Sequence, residues 1–462
     1  MAFFNQVPAF GQPAAPAFGQ QAAAPAFGAA APAFGQQAAA PAFGAAAPAF
    51  GQQAAAPAFG QAAAPAFGQQ AAASAFGQPT AGAVAADYKV PGAQGAVATC
   101  SDGITSVNFS AQNLMLASSW DGHVRVWQVQ KQGPQIHAAM AGQVSCDGQP
   151  VLSSCFNGDG SAAVAGCGDN TVRMWQFQGA ATSTIIGRHD QPVKSVHWMS
   201  NNMVASGSWD ATVRFWDTRS PTEAYKLQLP SKVYAMDVQY PVMAVATAEV
   251  APGAVGHPLI RVYDMRSGAP QLFGNTPIQS TLKHQPRCLG IFNTTTQGFA
   301  VGSIEGRVDI KDLGALNDAK RSFAFKCHRV KQEVARAQKE HNHVYPVNAI
   351  AFNSRGTFAT AGGDGVFSFW DKEKRTRIKE YRPAQGTCRA AQMVPQGQPP
   401  HPITAVAFSP TSEMFAYATS YDWARGDDPA MAARPNDIYI HACDESDLVA
   451  PPPQPTHGRG RR

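Results

Sequence analysis

Histidine, aspartate, serine and tryptophan recur together in this sequence, and such groups form either catalytic nucleophile–base sets or buried hydrogen-bond networks. His189, Asp210 and Trp216 make the most complete local set. An active site needs to occur only once, whereas these residue types return at a repeat period, so we interpret them as structural. The residues assigned to this structural role are His189, Asp121, Asp169, Asp210, Asp364, Trp127, Trp175 and Trp216.

A second group of residues has the types of metal ligands. Cys327, His328, His341 and His343 lie within a short stretch. One Cys with an adjacent His and a distant His-x-His does not match a standard zinc spacing. The eight cysteines also show no C-x-x-C pair. We therefore expect no metal, no cofactor and no disulfide framework.

The elements that must position these residues are short strands. The pattern Asp-x-x-Val-Arg-x-Trp occurs in residues 119–127, 168–175 and 208–216, and weaker copies follow at 260–263, 303–311, 363–370 and 437–441. Alternating segments such as 193–198 precede them. Seven units of this kind predict an all-β fold, a seven-bladed WD-repeat β-propeller. No run of residues approaches the roughly 18 apolar positions of a transmembrane helix.

The first 86 residues have a different composition. They contain nine Ala-Phe-Gly triplets, eight of them preceded by Pro, and no charged residue occurs before Asp87. Pro and Gly interrupt the Ala and Gln runs, and one Phe per repeat supplies too little apolar area for a core, so we expect disorder. The alternative is a linker without binding function. The repeat phenylalanines are Phe10, Phe18, Phe27, Phe34, Phe43, Phe50, Phe59, Phe67 and Phe76.

The predicted organisation has three parts. A disordered Pro-Ala-Phe-Gly tract covers residues 1–86, the propeller covers 87–445, and a flexible Pro-rich and basic tail covers 446–462. The net charge of +5 is too small for this length to imply nucleic-acid binding by itself. Residues 320–339 carry several basic residues around apolar ones, which is compatible with a short amphipathic helix or a solvated connector.

Longer motifs resemble known families. The tract resembles the phenylalanine–glycine (FG) segments of nuclear-pore proteins. Residues 189–198, 282–288, 367–372 and 420–423 resemble the messenger-RNA export propellers that dock on nucleoporins. A sister family, the spindle-checkpoint propellers that bind kinetochore motifs, shares the Ser-Ile-Glu-Gly-Arg element at 303–307. An FG tract on the same chain departs from the usual export-type pattern.

This resemblance implies a binding surface. Export-type propellers hold an acidic hairpin of a large FG nucleoporin, the GLEBS motif, and the same surface can hold nucleic acid. Arg307 is the first candidate, because a guanidinium can pair bidentately with a carboxylate; the alternative is a solvated turn Arg. A second candidate patch combines aromatic and basic residues: Phe325, Lys326, Trp370, Arg375 and Arg377. Trp370 is alternatively a core Trp, and the two arginines part of a solubilising loop.

The predicted function is therefore a non-enzymatic mRNA export adaptor in the nucleus, at the nuclear pore. Its expected partners are an FG nucleoporin with a GLEBS-like hairpin, transport receptors that bind the FG repeats, and RNA. One alternative is a spindle-checkpoint scaffold that binds kinetochore proteins. Another is a propeller enzyme with a site in its central channel, but no phosphate-binding Gly loop or plausible nucleophile–base set supports it.

Overall fold

The strands form where apolar side chains alternate with polar ones and a turn follows. In the segment Val193–Ser200, Val193 and Ser195 are buried while Lys194 is only partly buried. The computed structural model describes residues 87–449 except 94–95, 97, 179–181, 201, 254–255, 296, 333–340 and 383–399. The predicted FG tract and the end of the predicted basic tail lie outside these residues.

Seven antiparallel sheets, here called blades 1 to 7, follow one another along the chain. The strands of blades 1 and 2 are β2 Ile104–Phe109, β3 Leu114–Ser119, β4 His123–Gln132, β5 Gln135–Ser145, β6 Val151–Phe156, β7 Ala162–Cys167, β8 Thr171–Gln176 and β9 Thr184–Arg188. Those of blades 3 and 4 are β10 Val193–Ser200, β11 Met203–Ser208, β12 Thr212–Asp217, β13 Glu223–Gln228, β14 Val233–Gln239, β15 Val242–Val250, β16 Pro258–Asp264, β17 Gln271–Leu272 and β18 Ile278–Gln279.

The later blades contain the longest insertions. The strands of blade 5 are β19 Pro286–Ile291, β20 Gly298–Ser303, β21 Arg307–Asp312 and β22 Phe323–Lys326, and a separate hairpin follows with β23 Arg329–Gln332 and β24 His341–Val344. The strands of blade 6 are β25 Val347–Phe352, β26 Phe358–Gly362, β27 Phe367–Asp371 and β28 Thr376–Tyr381. Those of blade 7 are β29 Ile403–Phe408, β30 Met414–Thr419 and β31 Asp437–Ala442. The helices among the described residues are short: a 3-10 turn at Phe273–Asn275, α1 Pro429–Ala432 and α2 Glu445–Leu448.

The first strands of the seven blades contact one another in a closed ring, with β29 of blade 7 against β2 of blade 1. Residues of all seven first strands line one central channel. In every blade the start of the first strand pairs with the end of the second, as Val193 does with Ser208. The seven loops that follow the second strands therefore surround one mouth of the channel, and we call this side the loop face.

The ring is closed by β1, Tyr88–Lys89, which supplies the outer strand of blade 7 by pairing with β31. Beside it, Asp87 accepts hydrogen bonds from His441 Nδ1 at 2.7 Å and from the Tyr417 hydroxyl at 2.7 Å. Residues more than 300 positions apart thus join the two ends of the propeller.

The core lies between adjacent blades and is rich in aromatic rings. Phe367, Phe369, Phe415 and Tyr417 are fully buried between blades 6 and 7. Each buried ring of this size contributes about 1.5–3 kcal/mol through the removal of apolar area from water. The seven-bladed propeller predicted from the repeats is confirmed.

The segment 320–339, predicted as a short amphipathic helix or a solvated connector, belongs to the described residues only up to residue 332. The segment 320–339 forms no amphipathic helix over its described residues: β22 and β23 occupy 323–326 and 329–332. Strand pairing with blade 5 and with β24 satisfies the backbone here instead. None of the helices in the described part of the chain has the length and apolar character needed to span a bilayer.

Candidate partner-binding face

A buried hydrogen-bond network fixes the loop before the third strand of blade 3. His189 Nδ1 lies 2.9 Å from Asp210 Oδ2, and its Nε2 lies 2.7 Å from Ser206 Oγ. Trp216 Nε1 donates to the same Ser206 oxygen at 2.7 Å. Burial alone would raise the pKa of Asp210, but hydrogen bonds from His189 and Thr212 outweigh it and hold this pKa well below its usual range.

Blade 6 contains the same arrangement. His328 Nδ1 lies 2.8 Å from Asp364 Oδ1, and His328 Nε2 lies 3.0 Å from Thr360 Oγ1. Trp370 Nε1 donates to Thr360 Oγ1 at 2.9 Å. Because His, Asp and Ser or Thr are buried in both blades, a substrate has no access to the hydroxyl, and the geometry is that of a structural network.

Blades 1 and 2 anchor the equivalent aspartates differently. Arg125 Nη2 donates to Asp121 Oδ2 at 2.8 Å, and Arg173 Nη2 donates to Asp169 Oδ2 at 3.0 Å. The shortest ion-pair distance to this aspartate thus comes from a histidine in blades 3 and 6 and from an arginine in blades 1 and 2. The corresponding tryptophans, Trp127 and Trp175, are both buried.

Arg307 is the first residue of β21 and lies next to the loop face. It pairs in register with Lys326 of β22, so both side chains leave the same side of the blade 5 sheet. The closest approach of Arg307 to an acid is 3.9 Å, from its Nε to Glu305 Oε2. The guanidinium is partly exposed, and this long ion pair with Glu305 is its one carboxylate contact among the described residues.

The aromatic part of the second predicted patch is on the other side of that sheet. Phe325 faces blade 6, where its ring centroid lies 4.5 Å from that of Trp370. Phe323 follows on the same side, and the Arg375 guanidinium lies 5.0 Å from its ring centroid. Arg377 pairs in register with Trp370 and forms an ion pair with Glu380.

The six predicted partner-binding residues thus form two groups. Arg307 and Lys326 make one, and Phe325, Trp370, Arg375 and Arg377 make the other along the blade 5–blade 6 edge. The pattern of β-strand alternation separates Lys326 from Phe325 even though they are adjacent in sequence.

Sequence reasoning missed a set of exposed apolar residues on the loop face. Trp120, Trp209, Ile304 and Trp423 are 45%, 37%, 42% and 60% exposed, respectively. Trp120, Trp209 and Ile304 each occupy the position directly after the second strand of their blade, and Trp423 follows the second strand of blade 7. The repeated Ser-Trp-Asp signal contained this information, because the Trp lies one residue beyond the strand end. We call these four residues the apolar loop set.

Comparisons with known proteins are consistent with this architecture. The model of the WD domain, G-beta repeat matches residues 95–128, 142–176, 181–217 and 335–371. An mRNA export factor of Xenopus tropicalis is 38% identical over 350 residues, which cover 73% of this chain and 86% of the relative. The chain belongs to the mRNA export factor family.

Two further relatives cover a similar part of the chain. Protein Rae1 of Drosophila melanogaster is 33% identical over 353 residues, 74% of this chain and 91% of the relative. The poly(A)+ RNA export protein of Schizosaccharomyces pombe is 35% identical over 364 residues, 78% of this chain and 92% of the relative. Among solved structures, the RRP9 WD40 repeats superpose with a TM-score of 0.57 at 13% identity, covering 78% of this chain and 98% of that one. This last similarity concerns the fold alone.

Proposed function

We propose that this family member is a non-enzymatic mRNA export adaptor that binds an acidic, partly apolar nucleoporin hairpin of the GLEBS type across its loop face. Relatives are named mRNA export factor and poly(A)+ RNA export protein. We assign the same role to this chain and locate it on one surface, the loop face. The corresponding location is the nucleus, at the nuclear pore.

The apolar loop set is the observation that carries the proposal. Three tryptophans and one isoleucine are exposed on the same side of the propeller, around the mouth of the channel. Exposed tryptophans are costly to leave in water and are enriched among residues that dominate binding energy at protein interfaces. A peptide that crosses this face would cover residues of blades 1, 3, 5 and 7.

The charges of the loop face favour an acidic partner. Several of its carboxylates are already bonded within the protein: Asp121 to Arg125, Asp210 to His189, and Asp422 to Asn348. Arg307 and Lys326 have no comparably close carboxylate. A partner with acidic side chains would therefore meet two cations at this face, Arg307 and Lys326.

The other parts of the proposal rest on separate residues. The nine tract phenylalanines are proposed to contact transport receptors through many weak contacts. RNA contact at Phe325, Trp370, Arg375 and Arg377 stays a prediction, and there the Trp370 ring already packs against Phe325.

The test is isothermal titration calorimetry of the full chain with a synthetic acidic GLEBS-type hairpin. Trp120→Ala should raise the Kd at least about 30-fold, the effect of losing an interface hot spot of about 2 kcal/mol. Tyr240→Ala is the matched control, because Tyr240 is 55% exposed in the turn between the first and second strands, at the opposite end of its blade. Absence of hairpin binding, or an equal loss in both variants, would refute the proposed face. A kinetochore-type peptide tests the checkpoint alternative in parallel.

A further inference from the structure

On the loop face, two positively charged side chains line the mouth of the central channel. Lys194 and Arg287 are each the second residue of a first strand, in blades 3 and 5, and both line the channel. The same position in the other blades carries neutral residues: Thr105, Leu152, Tyr234, Asn348 and Thr404. The two cations therefore lie at one level of the channel, in a ring that contains no acid.

The two cations are incompletely paired. Among the described residues, no hydrogen bond or ion pair reaches the Lys194 ammonium. Arg287 makes one long hydrogen bond, 3.4 Å from its Nη2 to the backbone oxygen of Asp422. A buried or partly buried cation normally has a charged or hydrogen-bonding partner, because its desolvation is costly otherwise.

The side chain of Asp422, whose backbone oxygen accepts the Arg287 hydrogen bond, has other partners. The Asp422 carboxylate accepts from Asn348 Nδ2 at 3.0 Å and from the Ala424 amide at 3.2 Å. The described residues that line the channel include no Asp or Glu. Burial lowers the pKa of Lys194, and the positive charge of Arg287 lowers it further, while Cys288 acts in the opposite direction. The electrostatic environment is thus dominated by positive charge.

We propose that Lys194 and Arg287 bind a small phosphate-type oxyanion in the channel mouth. A compact anion with several oxygens can accept hydrogen bonds from an ammonium and a guanidinium together, and it supplies the compensating negative charge that a neutral ligand lacks. The Thr105, Asn348 and Thr404 side chains provide further polar groups at the same level. A channel with low-dielectric walls and one sign of charge concentrates counter-ions of this kind.

Inorganic phosphate and pyrophosphate are the probes for the test. Both are titrated into the full chain at constant ionic strength, with binding followed by calorimetry and by the melting temperature. Binding should raise the melting temperature in a concentration-dependent way. Lys194→Met and Arg287→Met should each weaken binding by about tenfold or more, because each removes a charge-assisted contact.

Lys226→Met is the matched control, because Lys226 is exposed on the outer strand of blade 3. It should leave the affinity unchanged. Melting temperatures without phosphate verify that the variants fold, and Lys194→Met should not lower this value, since it removes a desolvated charge. No detectable binding of either probe, or equal affinities in the wild type and the folded Lys194→Met and Arg287→Met variants, would overturn the site. The test contains no nucleoporin peptide, so its result is independent of the proposed export function.

Discussion

At the scale of single residues, the hydroxyl of Ser206 holds the blade 3 network together. It receives the Trp216 Nε1 hydrogen and lies within hydrogen-bond distance of His189 Nε2, both in a fully buried position. Ser206→Ala leaves these two nitrogens without their partner, and should reduce the free energy of unfolding by about 1–3 kcal/mol. Urea unfolding followed by tryptophan fluorescence measures the effect.

Ser220→Ala provides the comparison for this prediction, because the Ser220 hydroxyl is exposed and contacts only Thr222. Thr360→Val should resemble Ser206→Ala, since Thr360 has the same role towards His328 and Trp370 in blade 6. A loss no larger for Ser206→Ala than for Ser220→Ala would contradict the structural role of the network.

Arg307 permits a prediction about binding. Arg307→Glu should weaken binding of the acidic hairpin by about 2–5 kcal/mol, because a cation that pairs with a carboxylate of the hairpin is replaced by an anion that repels it. Calorimetry with the hairpin peptide measures this change. Arg219→Glu has the same charge change at a 70% exposed site between the third and fourth strands of blade 3, away from the loop face, and should have little effect. A wild-type Kd for a folded Arg307→Glu variant would remove Arg307 from the binding site.

The sequence indicates which residues share a structural role more readily than it indicates which side chains are exposed. Asp210, His189 and Trp216 could be grouped because their chemistry recurs with the repeat. Trp209, by contrast, is of a residue type that is expected in a core, and its side chain is exposed because it lies just beyond the strand that ends at Ser208. A shift of one residue at a strand end decides whether a Trp contributes to the core or to a binding face.

At the scale of elements, the closure of the ring depends on a buried charge network around His441. Its Nδ1 lies 2.7 Å from Asp87 Oδ1 and its Nε2 lies 3.4 Å from Asp447 Oδ2. Burial alone would lower the pKa of His441, but the hydrogen bonds and charges of Asp447 and Asp87 outweigh it and raise the pKa to about 9. Lys379 and the Tyr381 hydroxyl also bond Asp447.

The raised pKa predicts that the contacts of His441 with Asp87 and Asp447, here called the clasp, stabilise the fold in a pH-dependent way. A histidine whose pKa is higher in the folded than in the unfolded state stabilises the fold fully below pH 6.5, and this contribution disappears as the pH rises to about 9. The expected size is on the order of 3 kcal/mol. His441→Gln should remove this dependence, so the difference in unfolding free energy between wild type and variant should shrink between pH 6 and 9.5.

His137→Gln is a suitable control for the clasp, because His137 is exposed on the outer strand of blade 1. Its unfolding free energy should follow that of the wild type across the same pH range. A difference between wild type and His441→Gln that stays constant with pH would mean that the charge of His441 does not stabilise the clasp.

Two elements show why local sequence patterns are insufficient. β1 has only two residues, and it becomes the outer strand of blade 7 through pairing with β31, about 350 positions away in the sequence. The hairpin of β23 and β24 arises in a stretch whose charge pattern also suits a helix. In both cases pairing with another strand decides the structure, and the periodicity of residue types within the segment does not indicate that pairing.

At the scale of the whole molecule, each of the seven blades has a residue directly after its second strand, on the loop face. The type of this residue can differ from blade to blade without a change in the fold. Blades 1 and 3 place Trp120 and Trp209 there, whereas blades 2 and 6 place Gly168 and Gly363. The blade number and the ring could be predicted from the repeat because each copy reports on the same fold. The binding face could not, since it depends on the residues in which the copies differ.

The tract and the propeller are proposed to bind different partners, which makes their contributions separable. Replacement of all nine tract phenylalanines, from Phe10 to Phe76, by Ser should abolish binding of transport receptors, because each repeat loses its aromatic contact and the total affinity depends on many weak contacts. A pull-down with purified receptor measures this loss. The same variant should bind the acidic hairpin with the wild-type Kd, since the apolar loop set is unchanged. Retained receptor binding would show that the propeller, rather than the FG tract, contacts the receptor.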